Sequence, residues 1–260
     1  MSTATVNAPA TGGGAGPRGN RVGSLSKIVR LHFADRSRMI DSPLLIMAGV
    51  AALIVLIMII LRNFTPATDA ELSEGFRYNQ AAIWCLSGYI MNIGVMAYAR
   101  TMPYAMGLGS TRRQYFWGTT VALTLEALLI AAMMTAFLFL EKITGHWFTG
   151  ARMFDTYLAG DGDYGALFLF GWGIALAMLF LGSFFAAVYL RWNVPGVLAS
   201  IAVLVLGLLG IVTWILAAEI DALAWFTPYP FAKVAGILVF VSALAAAGSW
   251  LVLRRAPVGR

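Results

Sequence analysis

Six long apolar runs dominate this sequence, each near or above the roughly 20 residues a helix needs to cross about 30 Å of hydrocarbon. They cover 43–61, 81–99, 116–140, 165–190, 194–218 and 231–253. Lipid offers no partner to backbone N–H and C=O groups, so runs of this length must bond internally as helices. Composition agrees: of 260 residues, 60% are hydrophobic and 12% charged, with a mean hydropathy of +0.80. A soluble globule carries about a quarter charged residues. The expected fold is all-α, a polytopic membrane protein whose single domain, 41–255, holds six transmembrane helices.

Charge sets the orientation. Thirteen of the 18 Lys and Arg fall at the amino terminus, between spans two and three, between four and five, and at the carboxy terminus. Only Arg62, Arg77, Lys142, Arg152 and Lys233 fall on the other side. By the positive-inside rule both termini are cytoplasmic. The formal charge of +6 is therefore read as membrane orientation, and nucleic acid is not an expected partner.

Residues 1–22 are rich in Gly, Ala, Pro and Thr and read as a disordered cytoplasmic tail. Residues 256–260 form a short tail at the other end. Over 23–40, Leu25, Ile28, Val29, Leu31 and Phe33 alternate with Lys27, Arg30, Arg36 and Arg38. This pattern suits an amphipathic helix in the interface, the simpler reading being a positive flank to span one. Asp41, Ser42 and Pro43 then give a capping-type start for that span.

Several chemistries are excluded. Cys85 is the only cysteine, so no disulfide or thiolate metal site forms within the chain. No Gly-Lys dipeptide exists, so the phosphate-cradling loop is absent. His32 and His146 fall on opposite sides of the membrane, and nothing resembles a nucleophile elbow. No catalytic, cofactor-binding or metal-binding residue is assigned, and the chain is not read as an enzyme.

Glu126 is the one acidic residue inside a span, about 15 Å deep on the third helix. With Asn92, Thr124 and Thr213 it makes the short set of polar groups expected inside the bundle, a candidate substrate path. Asn92 is its expected hydrogen-bond partner. A substrate or proton contact and a satisfied structural bond both fit Glu126. Trp225, Phe226, Pro228, Tyr229 and Pro230 mark an outer boundary and suit an interfacial belt or a gate.

The most specific segment lies between spans two and three, Arg100 to Gly118. Met102, Tyr104, Met106 and Leu108 are apolar, Gly107 and Gly109 permit a tight turn, and Ser110 or Thr111 caps a helix beginning at the Arg112, Arg113 pair. The alternative is a plain positively charged loop.

The run MGLGSTRRQYFWGT, with the amphipathic segment before span one, LEKITG at 140–145 and RWNVPG at 191–196, resembles the membrane (permease) subunits of bacterial type-2 ABC exporters, particularly actinobacterial ones. The resemblance covers most of the chain beyond its first twenty residues. It implies a six-helix subunit that forms a homodimer and pairs with a separate ABC ATPase, which binds ATP and magnesium. It makes Ser24 to Arg38 a connecting helix and Met102 to Phe116 a cytoplasmic coupling helix. Met102, Tyr104, Met106, Leu108, Ser110, Arg112, Arg113 and Tyr115 are then the docking residues. The implied cargo is hydrophobic or amphipathic: a lipid, peptide or drug. The rival expectations are an ion-coupled secondary transporter using Glu126 and a non-transporting membrane sensor or immunity subunit.

Overall fold

A computed structural model describes residues 21–218 and 230–254. The tail expected over 1–22, except its last two residues, lies outside them, as do the tail 256–260 and the aromatic loop around Trp225 and Tyr229. Among the described residues the regular structure is helical. The elements are α1 (Arg21–His32), α2 (Ser42–Phe64), α3 (Asp69–Phe76), α4 (Ala81–Met96), α5 (Met102–Gly107), α6 (Arg112–Ile143), α7 (Tyr164–Ala217) and α8 (Pro230–Leu253). Five helical stretches are long and apolar enough to cross a membrane: Ser37–Phe64, Asp69–Gly107, Arg112–Ile143, Tyr164–Ala217 and Pro230–Leu253.

Three junctions differ from the sequence reading. The runs 165–190 and 194–218 join as α7, a 54-residue stretch. Its helical path is interrupted at Asn193, with φ 54° and ψ −153°, just before Pro195. Two helical limbs therefore meet at a kink, and Pro195, in the first turn of the second limb, is tolerated there because its missing N–H has no partner to lose. Similarly, α4 runs through a π-helical turn, Ala97–Thr101, straight into α5. Pro103 lies in the first turn of α5, where its missing N–H is tolerated. Lastly, the capping start expected at Asp41, Ser42 and Pro43 is absent. A π-helical turn, Ser37–Asp41, feeds α2 directly, Asp41 has helical angles, and its side chain caps nothing.

The tightest packing is where α4 crosses α7. A Cβ on Gly94 would run into the Leu179 carbonyl oxygen, and one on Gly182 into that of Met91. Small residues let two backbones approach where lipid supplies no hydrophobic drive between helices. The Ser183 hydroxyl sits in this crossing, 2.8 Å from the Leu179 carbonyl and 3.3 Å from that of Gly94. Leu86, Ile90, Leu123, Ile130 and Met134, in the same apolar core, are all fully buried. On α6, Gly118 makes room for Ile28 of α1, whose side chain lies 2.7 Å from where a Cβ would stand.

These contacts bring three chain segments to one end of the bundle. α1 lies on the start of α6, and Arg112 at that start donates to the carbonyls of Leu253 (3.0 Å) and Arg254 (3.3 Å) at the close of α8. We call this the basic end. At the far end, α3 and residues 144–163 fold together. The limb of α7 beyond Asn193 packs least: Ile201 through Trp214 are all exposed, and none is charged. A hollow of about 700 Å³ has Phe184 and Val188 of the first limb on its wall, Ala199 and Val203 of the second, and Val252 of α8.

Two tests follow. Gly94→Val or Gly182→Val should each destabilise the protein by about 1–3 kcal/mol, since the obstructing atom is backbone. Gly88→Ala, which meets nothing within 4 Å, should be neutral; thermal unfolding in detergent reads the difference. His32 is 7% exposed, with Nδ1 3.0 Å from the Ile28 carbonyl oxygen. Burial holds its imidazole below the ordinary 6.5, outweighing that hydrogen bond. Stability from neutral His32 is therefore present above that value and lost as pH falls below it. Protease cleavage between α1 and α2 should rise on acidification to pH 5.5, and His32→Phe should flatten that response.

Candidate functional site

At the basic end, α5 and the turn after it are tethered on one side and free on the other. Met102 is buried, Met106 and Ser110 are half-buried, and Tyr104 and Leu108 are 60% and 69% exposed. Gly109 takes φ 85°, a conformation that costs glycine nothing. Thr111 rather than Ser110 then caps α6. Its hydroxyl accepts from Gln114 N–H while the Gln114 side chain accepts from Thr111 N–H, a reciprocal capping box. Tyr115 is fully buried and its hydroxyl donates to the Ala97 carbonyl oxygen, latching α6 to the π-helical turn.

The eight residues singled out in this segment thus divide. Met102 and Tyr115 hold the element in place. Arg112 is committed to the carbonyls of α8. Tyr104 and Leu108 project outward, and Arg113 is exposed on a different face, at the mouth of a cleft between α6, α7 and α8. A second hollow, about 330 Å³, separates α5 from the segment between α1 and α2, with His32, Asp35, Arg38, Arg100 and Tyr104 on its walls.

The four polar groups expected inside the bundle are not brought together. Glu126 is buried at 1% exposure, and neither carboxyl oxygen has a hydrogen-bond partner among the described residues. Asn92 is exposed, so the bond expected between it and Glu126 does not form. Thr124 is half-buried, its hydroxyl turned 2.9 Å onto the Thr120 carbonyl of its own helix. Thr213 is exposed on the unpacked limb of α7 and donates to the Gly210 carbonyl. A threonine hydroxyl can satisfy itself within its own helix turn, which is why buried polarity is poorly legible from Thr alone.

Sequence reasoning missed the far end. Glu141, in the LEKITG run at 140–145, is buried, and its carboxylate accepts from the backbone N–H of Met153 (3.0 Å), Phe154 (2.8 Å) and Asp155 (3.4 Å). Beside it His146 Nε2 lies 2.8 Å from Asp155 Oδ2, and Arg152 pairs with the same carboxylate. The Arg152 Nε also donates to Ser73 Oγ at 3.1 Å. A serine, a histidine and an aspartate therefore share this cluster, but the arginine stands at the hydroxyl where a catalytic imidazole would have to be. Leading into it, Gly145, His146, Trp147 and Phe148 all have positive φ between 58° and 62°. Only Gly145 in LEKITGHWF signalled such a turn. Among the described residues no group of three or more His, Cys, Asp or Glu is arranged to hold a metal ion.

A scan against protein-family models and searches among curated proteins and solved structures returned no match. Function has to be argued from this geometry and from the sequence.

The two acids of α6 make a contrast that can be measured. Hydrogen bonds to a charged group are worth about 1.5–3 kcal/mol each. Glu141→Gln should therefore speed amide exchange at Met153, Phe154 and Asp155 by tenfold or more. Glu126→Gln breaks no hydrogen bond and should leave both that exchange and the melting temperature unchanged.

Proposed function

We propose that this chain is the membrane subunit of an ATP-driven exporter of the type-2 ABC class, with six spans and both termini in the cytoplasm. A separate ABC ATPase, binding ATP and magnesium, docks at the basic end. The observation that carries the reading is the α5 corner. Two large apolar side chains, Tyr104 and Leu108, are exposed beyond the end of a membrane-length helix, on an element held rigidly from behind by Met102, Tyr115 and the Thr111 cap. Exposed aromatic and aliphatic anchors on a fixed support suit a protein partner. α1 lies across the adjacent hollow and would frame the same partner.

Six spans rather than five are supported by length and by closure. At 1.5 Å per residue the 54 residues of α7 measure about 81 Å, more than twice the hydrocarbon thickness. A reversal at Asn193 makes two crossings of it, and both limbs flank the hollow that holds Val252. An even count also agrees with the meeting of α1, the start of α6 and the end of α8 at one end. The excess of Lys and Arg there makes that end cytoplasmic. ATP binding and hydrolysis in the partner would press on α5 and, through Tyr115 and the α4–α7 crossing, tilt the bundle between two states. The exposed, uncharged limb Ile201–Trp214 is the surface on which a second copy would pair. With few free polar groups inside, the cargo class is hydrophobic or amphipathic.

One observation favours a second reading, an ion-coupled secondary transporter. Glu126 is a buried acid with neither oxygen partnered, and intramembrane ionisable groups are commonly functional. Transport that runs on a proton gradient without ATP would establish it and exclude the exporter.

Replacing Tyr104 and Leu108 together by Ala removes anchors without touching the supports. Loss of about 2 kcal/mol at such positions is on the order of 30-fold in affinity. The variant should fold normally but fail to retain an ATPase on co-purification. Retention of the ATPase with unchanged turnover would overturn the docking assignment.

A further inference from the structure

Between α6, the first limb of α7 and α8 lies a cleft of about 740 Å³, open to the surface of the bundle, since Trp117, Ala243 and Ala247 on its walls are exposed. Its walls are apolar in effect as well as in composition. The three hydroxyls that line it are all turned onto their own helices: Thr120 to the Phe116 carbonyl (2.9 Å), Thr124 to that of Thr120 (2.9 Å) and Ser242 to that of Leu238 (2.7 Å). Each hydroxyl proton is thus spent within its own helix, leaving a polar solute no hydroxyl donor on the wall, though the Trp172 indole N–H there is buried and without a partner among the described residues. The charged exception is Arg113, at the basic end of the cleft, exposed and without an ion pair or hydrogen bond among the described residues.

Dimensions narrow the occupant further. Along α6 the cleft extends from Arg113 to Thr124, about 16 Å at 1.5 Å per residue, or one leaflet of a bilayer whose hydrocarbon is about 30 Å thick. An extended apolar chain reaching one leaflet deep matches that length. Trp117 and Trp250 flank the same end as Arg113, at the level where indoles sit against headgroups.

We propose that this cleft is a binding site for one anionic phospholipid, drawn from the leaflet at the basic end. The headgroup phosphate pairs with Arg113, and an acyl chain lies along the wall of α6 toward Thr124 and Trp172. Arg113 thereby acts as a lipid ligand, while its neighbour Arg112 holds the end of α8. The site requires only that the helices span a bilayer; it does not depend on the chain being a permease, and it stands or falls separately from the α5 docking surface.

Native mass spectrometry of the full chain, exchanged into equimolar phosphatidylglycerol and phosphatidylcholine, tests this directly. The wild type should retain one phosphatidylglycerol preferentially. Arg113→Gln should lower that preference about fivefold, the loss of one cation's attraction to an anionic surface. Arg191→Gln, a cation outside the cleft lining, should leave it unchanged. Ala243→Trp, at an exposed wall position that tolerates bulk, should displace the lipid. Phosphatidylglycerol brominated on its acyl chain should quench wild-type fluorescence more than that of Trp172→Phe. A preference that survives Arg113→Gln, or equal quenching of wild type and Trp172→Phe, would overturn the proposal. The Tyr104, Leu108 double variant should keep the lipid even where it loses an ATPase, which separates failure of one idea from failure of the other.

Discussion

Backbone contact between α4 and α7 is the constraint on which the rest of the bundle depends. Hydrocarbon offers no hydrophobic reward for bringing apolar helices together, so association rests on close packing and on hydrogen bonds inside the contact. Gly94 and Gly182 supply the first and Ser183 the second. Because the crossing is fixed at backbone distance, the ends of both helices are fixed as well. α4 delivers its π-helical turn to Tyr115, and α7 delivers its first limb to α8, where Gly173 admits Ala235 and Gly248 admits the ring of Phe184. The limb beyond Asn193 takes no part in this, and its sides are accordingly exposed.

The two acids of α6 show how differently a buried carboxyl can be accommodated. Fifteen residues separate them on one helix. Glu141 reaches the loop that follows, where three successive backbone N–H groups converge on it, replacing the water a carboxylate loses on burial. Thus the far end, with no long helix of its own, is organised around a single side chain. Its cation–carboxylate pairs at Asp155 and Asp161 and the capping box of α3 add to that frame. Glu126 has no such arrangement. An unmet polar group inside a bundle is costly in stability, so its presence asks for a function or for a state of the bundle in which it finds a partner.

Much of this architecture was legible because long-range and local signals coincided. The apolar runs gave the membrane helices, since length and hydropathy suffice when lipid removes every alternative to the helix. A cap at Ser110 or Thr111 was readable because capping is a local pattern, and the reciprocal bond with Gln114 decides for Thr111. What could not be read were features decided by neighbours distant in sequence. Glu141 looked like any outer charge until the loop 153–155 was folded over it. Thr213 and Thr124 looked like interior polarity, yet hydroxyl-to-backbone bonds leave both indifferent to their surroundings. The junctions also depend on more than local pattern: Pro103 sits in the first turn of a helix that continues α4 through a π-helical turn, and the kink between the limbs of α7 is set by the left-handed backbone at Asn193.

Arg112 and Arg113 make the same point at the scale of one residue. In sequence they are a pair, and a pair invites a single role. Successive residues on an α-helix point about 100° apart, so on the first turn of α6 the two guanidiniums face different surroundings. One faces α8 and donates to the carbonyls of Leu253 and Arg254, the groups a helix leaves unsatisfied at its end and where a cation is favoured by the helix dipole. The other is left at the head of an apolar cleft with no anion beside it among the described residues. A fixed cation beside a leaflet-deep groove is incomplete as a protein structure, and the membrane is what supplies both the missing charge and the missing chain.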